Sequence, residues 1–166
     1  MDLYLMQHGE AVPGEVDPQR PLSEHGRQSV AAVAGRASAA GVRIDRVVHS
    51  GKLRAEQTAR ILAEALYCTD VSAHSGLSPS DDVQAAAASL VHGDAPSSLA
   101  IVGHLPFLDR LAAWLVAGDP DAHVVAFHNG GLVHLVPAKD GADAQRAGSL
   151  AVSWILVPEL AAGFSA

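Results

Sequence analysis

Two short apolar runs in this chain each stop on a histidine. "DLYLMQHGEA" delivers His8, and "SSLAIVGH" delivers His104. A third run, "RVVHS", leads into "GKLRAEQTA", which carries Arg54. Two imidazoles and a guanidinium are the groups that phosphoryl transfer through histidine needs. One imidazole nitrogen attacks phosphorus and becomes phosphohistidine. The other histidine and the arginine stabilise negative charge on the phosphoryl oxygens. Gly9 and Gly103, beside the two histidines, let backbone approach a phosphate closely. The Walker-type phosphate loop and the dinucleotide glycine fingerprint are both absent from the sequence.

For these groups to meet, the three runs must be strands of one sheet, because ligands of open α/β sheets bind beyond the carboxyl ends of the strands. The pattern supports this. Residues 2–6 read as a strand, "PGEVDPQRP" as a loop, and Ser23 as the cap of a helix whose apolar face is Val30, Val33, Ala34 and Ala37. "RVVHS" is a second strand. A helix follows from about residue 51, with Thr58, Ile61, Leu62, Ala65 and Leu66 at helical spacing. This puts Arg54 in the first helical turn, where the helix dipole favours an anion. "DVSAHS" is a third strand, and "GLSPSDD" leads to a helix bearing Val83, Ala87, Leu90 and Val91. After "SSLAIVGH" comes a helix marked by Leu108, Leu111, Ala112 and Leu115. "HVVAFHNGGLVHLVP" and "LAVSWILVP" read as strands joined by the turn "AKDGADAQRAGS". The alternation predicts one α/β domain over residues 1–166, with a mostly parallel sheet and antiparallel strands from the C-terminal third.

"LMQHGEA", "RPLSEHG", "SGKLRAEQTA" and "IVGHLP", in that order, resemble the signature of the histidine phosphatase superfamily, also called phosphoglycerate mutase-like. The match runs from Leu3 to about Trp114, with a weaker echo in "FHNGGLVHL". The short chain and the pattern RPL, LRAEQTA and GHLP are similar to the SixA branch, the phosphohistidine phosphatases. The resemblance implies a three-layer α/β/α sandwich. It implies His8 as the nucleophile, Arg54 as the phosphoryl ligand and His104 as the second pocket histidine. It also implies a phosphorylated protein histidine as substrate, with a small phosphate ester as the alternative and no cofactor.

The family motif opens Arg-His-Gly, and here Gln7 stands in place of that arginine. A guanidinium offers fixed charge and a bidentate fork, whereas Gln7 offers a neutral amide with two donors. Losing a preorganised donor costs on the order of 10²–10³ in rate. The sequence therefore leaves three outcomes: a weakened phosphatase, a phosphate- or phosphohistidine-binding module without turnover, or a pocket whose charge comes from elsewhere. Arg20, in "DPQRPL", is the candidate replacement. Glu10 is a candidate general acid. Asp81 and Asp82 are weaker candidates that read first as helix-capping acids. Ser50 reads as a turn or cap residue.

Composition closes off other classes. A formal net charge of −7 argues against nucleic acid or an anionic membrane as partner. No run approaches the roughly 20 apolar residues of a membrane span, and "MDLYLM" lacks the basic start of a signal peptide. The single cysteine, Cys68, permits no intrachain disulfide and reads as a small, at least half-buried residue. The expectation is a cytoplasmic chain, with a monomer compatible with the sequence. His123, His128 and His134 read as structural or surface residues, because strand spacing sends His123 and His128 to opposite faces. No metal site is expected.

Overall fold

A computed structural model of the chain describes residues 1–91, 96–138 and 147–163. The elements in chain order are β1 (Asp2–Gln7), α1 (Glu24–Ala39), β2 (Arg46–His49), α2 (Leu53–Ala65), β3 (Asp70–Ala73), α3 (Val83–Val91), β4 (Ser98–Gly103), α4 (Phe107–Ala117), β5 (Leu132–Pro137), β6 (Leu150–Leu156) and α5 (Pro158–Ala162). They form one six-stranded sheet in the order β3-β2-β4-β1-β5-β6. β1 to β4 are mutually parallel where they pair. β5 runs antiparallel to both β1 and β6, so among the described residues it is the one reversed strand.

Side-chain alternation builds the two faces. Leu3 and Leu5 of β1, with Leu99 and Ile101 of β4, bury against α3 and α4. Tyr4 and Met6, with Ala100 and Val102, bury against α1 and α2. Layering of helices on both sides of the sheet is thus set by a period of two in the central strands. The core is largely small and aliphatic, as the 4% aromatic content requires.

Ser23 caps α1 by accepting from the Gly26 N–H at 3.0 Å. The buried face of α1 includes Val30, Val33, Ala34 and Ala37, the predicted set. In α2 the predicted Thr58 and Leu62 are buried, while Ala55, Ala59 and Ala63 complete the face and Ile61 and Ala65 stay half-buried. Two readings of the C-terminal third change. "HVVAFHN" is not a strand. Val125 is buried against the α3/α4 core, and the N–H of Gly130 donates to the carbonyls of Gln7 and His8. Gly130 has φ of 74°, which turns the chain before β5 begins. The stretch is therefore consumed in closing off the end of β1. α5 has no counterpart in the prediction. It follows β6 and lies on α1, where five residues carry too little periodicity to announce a helix. Of the turn "AKDGADAQRAGS", residues 139–146 lie outside the described residues.

Two glycines of the motifs answer to close backbone approach. A Cβ on Gly9 would lie 2.8 Å from Val30 Cγ2 and 2.9 Å from the Gly26 carbonyl. A Cβ on Gly26 would lie 2.1 Å from the Glu10 carbonyl, which is backbone and cannot swing aside. α1 is thus pressed directly against the turn that carries His8. Gly35, in the same helix, has open space, with nothing within 4 Å of the point a Cβ would occupy. Gly26→Ala should destabilise the protein by about 1–3 kcal/mol through overpacking. Gly35→Ala should stabilise it by roughly 0.5–1 kcal/mol through helix propensity. Urea unfolding midpoints check both, and equal midpoints for the two variants would contradict this account of the helix contact.

Candidate active site

β1 ends at Gln7, and the chain continues along β4 for one more bond, from the His8 N–H to the Gly103 carbonyl at 3.1 Å. The turn is then latched to α2. The Gly9 N–H donates to Thr58 Oγ1 at 3.1 Å, and the fully buried Thr58 hydroxyl donates to the Arg54 carbonyl at 2.7 Å.

The His8 ring has a defined proton. Its Nδ1 lies 2.7 Å from the Gly9 carbonyl, which can only accept, so Nδ1 carries the hydrogen. Nε2 keeps its lone pair and accepts from Arg54 Nε at 3.1 Å. Burial lowers the pKa of His8, and the charges of Arg54, Arg20 and Lys52 lower it further against the opposing pull of the Gly9 carbonyl. His8 is therefore a neutral imidazole with one basic nitrogen facing a guanidinium.

The His104 ring lies 4.8 Å from that of His8, tilted by 59°. It is 3% exposed, and its Nε2 is 2.6 Å from Ser50 Oγ. Its pKa is pushed down to about 3, first by burial and then by His8, Arg54, Lys52 and Arg20. Its Nδ1 is buried with no hydrogen-bond partner among the described residues.

Arg20 is exposed, with φ of 51°, and its charge acts on His8, Arg54 and His104 together. Lys52, the residue before α2, acts on both histidines. Arg20, Lys52 and Arg54 all act on the two histidines by their charge, Arg54 alone bonding His8, and no ion pair among the described residues joins them to a carboxylate. Gln7 Nε2 donates to Asn129 Oδ1 at 2.5 Å, while Gln7 Oε1 is buried and unpartnered among the described residues.

The candidate acids are engaged elsewhere. Glu10 Oε1 accepts from Ser23 Oγ at 2.6 Å and is exposed beside the start of α1. Asp81 accepts from the Ser78 N–H at 2.7 Å, and Asp82 caps α3 through the Gln84 N–H at 2.8 Å. His123, His128 and His134 have other partners. His123 pairs with Asp109, His128 faces Glu159 at 4.0 Å, and His134 bonds Asp2 at 3.2 Å while stacking on Tyr4. Among the described residues no group of three or more His, Cys, Asp or Glu is arranged to hold a metal.

Sequence reasoning missed four contributors. Lys52 lies inside a motif already singled out, and Ser50 lies at a strand end on the same edge, so position could have flagged both. Thr58 is visible in the sequence only as an apolar-face residue of α2. Asn129 reaches Gln7 across 122 residues of chain and carries no local signal.

The family described as histidine phosphatase superfamily (branch 1) matches residues 3–81. Phosphohistidine phosphatase SixA of Escherichia coli is 30% identical over 123 residues, 72% of this chain and 76% of that protein. The chain belongs to the histidine phosphatase superfamily. Within it the chain is of the SixA type, and it is a phosphatase. An uncharacterized protein of Picosynechococcus is 33% identical over 129 residues, 75% of this chain and 78% of the relative. The structure of protein histidine phosphatase SixA complexed with tungstate superposes with a TM-score of 0.78 at 25% identity, covering 95% of this chain and 97% of that one. A mycobacterial glucosyl-3-phosphoglycerate phosphatase shares the fold at 16% identity, with a TM-score of 0.68 over 92% of this chain and 96% of that one. No helix among the described residues is long and apolar enough to cross a membrane.

The buried histidines of this phosphatase tie its stability to pH. In the unfolded chain His104 takes a proton near 6.5, whereas the folded site refuses it until about 3. Between those values the unfolded state binds more protons, so stability falls as pH is lowered through that window. Denaturant unfolding from pH 7 to pH 4 should show this decline, and His104→Asn should make it shallower. An unchanged slope in that variant would remove His104 as its source.

Proposed function

We propose that this phosphatase hydrolyses phosphohistidine on a protein through a phosphorylated His8. The observation that supports it most is the His8 ring itself, with Nδ1–H on the Gly9 carbonyl and the Nε2 lone pair against Arg54. Nε2 attacks phosphorus, and the P–N bond to the substrate imidazole breaks. The substrate ring, protonated on its other nitrogen, leaves as a neutral imidazole. The His8 ring becomes cationic, and the Gly9 carbonyl then accepts a charge-assisted bond. Water next attacks phosphorus and loses its proton to solvent. The P–N bond to His8 breaks, phosphate leaves, and Nε2 recovers its lone pair.

A leaving group that brings its own proton suits a site whose nearest sequence carboxylate, Glu10, is bonded to Ser23. Arg20 and Lys52 supply the charge that Gln7 lacks, and Gln7 contributes an amide steadied by Asn129. The oxyanion in the tungstate-bound SixA structure is the kind of ligand such a pocket takes. A substrate protein in the reducing cytoplasm fits a chain whose one cysteine, Cys68, is free.

A phosphohistidine peptide should be hydrolysed by the wild type and not by His8→Ala, with an acid-labile phosphoenzyme trapped only in the wild type. Gln7→Arg should raise the rate, by at most about 10²–10³, and Arg20→Ala should weaken phosphate binding. Turnover of p-nitrophenyl phosphate with none on the phosphohistidine peptide would overturn the substrate. Unchanged phosphate affinity in Arg20→Ala would overturn its role.

A further inference from the structure

Ser50 and His104 form a pair that phosphoryl chemistry at His8 does not by itself explain. Ser50 Oγ lies 2.6 Å from Nε2 of a ring that is 3% exposed, while the other ring nitrogen, Nδ1, is buried without a partner among the described residues. A neutral imidazole has one donor nitrogen and one acceptor nitrogen. If Nε2 donated to Ser50, an unpaired lone pair would be buried on Nδ1, and it would repel any phosphoryl oxygen that approached it. If Ser50 donates to Nε2, the hydrogen sits on Nδ1 and is an unmet donor instead. A buried donor without a partner is costly in the free protein and is satisfied when an acceptor arrives.

We propose that Ser50 is a positioning residue that donates its hydroxyl hydrogen to His104 Nε2, so that His104 presents Nδ1–H as a neutral donor to a phosphoryl oxygen on His8. This deepens the reading of the site and rests on it only for the identity of the reacting group. The two histidines then have the same tautomer set by different acceptors and donors. The Gly9 carbonyl fixes His8 by accepting from Nδ1, and the Ser50 hydroxyl fixes His104 by donating to Nε2. One ring is left with a lone pair for phosphorus and the other with a hydrogen for its oxygens. Protonation could also make His104 a donor at Nδ1. It is disfavoured first by burial of the ring and then by His8, Arg54, Lys52 and Arg20. A hydroxyl achieves the same outcome without adding charge.

The test reads the tautomer directly. Two-bond ¹H–¹⁵N spectra of the labelled full chain near pH 7, with His104 assigned through His104→Asn, should show hydrogen on Nδ1 and a bare Nε2. Ser50→Ala should shift His104 toward Nε2–H and weaken tungstate binding about tenfold, the worth of one buried hydrogen bond. Ser50→Thr, which keeps the hydroxyl, should restore both. A wild-type His104 protonated on Nε2 overturns the proposal, and that spectrum stands even if the alanine variant does not fold. So does a Ser50→Ala protein whose tautomer shifts while tungstate affinity holds. Tungstate and the spectra need no phosphohistidine, so failure on the peptide substrate leaves this test intact.

Discussion

The candidate site depends on strand register at the centre of the sheet. Gln7 lies opposite Gly103, and His49 lies opposite Val102. The residues that follow, His8, Ser50 and His104, therefore leave the sheet at one level. The bond from the His8 N–H to the Gly103 carbonyl holds that level one residue past β1. A slip of one residue would send His8 to the other face and bury Gln7 in its place. Burial specifies the register strongly, because Leu3, Leu5 and Tyr4, Met6 belong to different cores.

The helices add the second constraint. α1 and α2 both touch the His8 turn, α1 through Gly26 against Glu10 and α2 through Thr58 against Gly9. The turn is therefore clamped between two helices, and Arg54 rises from the same helix that supplies Thr58. His8 and Arg54 share one support, so their 3.1 Å contact is built into the way α2 docks.

Much of this was legible in the sequence. Strands stopping on His-Gly and Gly-His, and a helix opening on an arginine, fixed the layering and the edge where chemistry sits. Local patterns carried that information because strand and helix periods are local. The rest depends on contacts distant in sequence. Asn129 against Gln7 is set by the loop that closes β1, and the same loop defeats the strand reading of "HVVAFHN". The exposed Arg20 acts on the site only by its charge, and its φ of 51° is one that an arginine does not announce. Glu10 looked like an acid because it follows the nucleophile closely, yet its carboxylate is bonded to Ser23 at the helix cap.

With Gln7 in place of a motif arginine, the positive charge acting on His8 and His104 comes from two segments of chain. Arg20 comes from a loop, Lys52 from the approach to α2, and Arg54 from its first turn. Like charges in one pocket repel, and Arg20 already lowers the pKa of Arg54. An entering dianion would offset this repulsion where the loop and α2 already meet, the Leu22 N–H donating to Gln57 Oε1 at 2.7 Å. Anion binding and cohesion of the fold are therefore coupled quantities. A ligand at a hundredfold excess over its dissociation constant adds about 2.7 kcal/mol to any fold that alone can bind it. For this chain that addition would count toward the stability of the whole fold, so an anion bound there would hold the structure together as well as occupy the site.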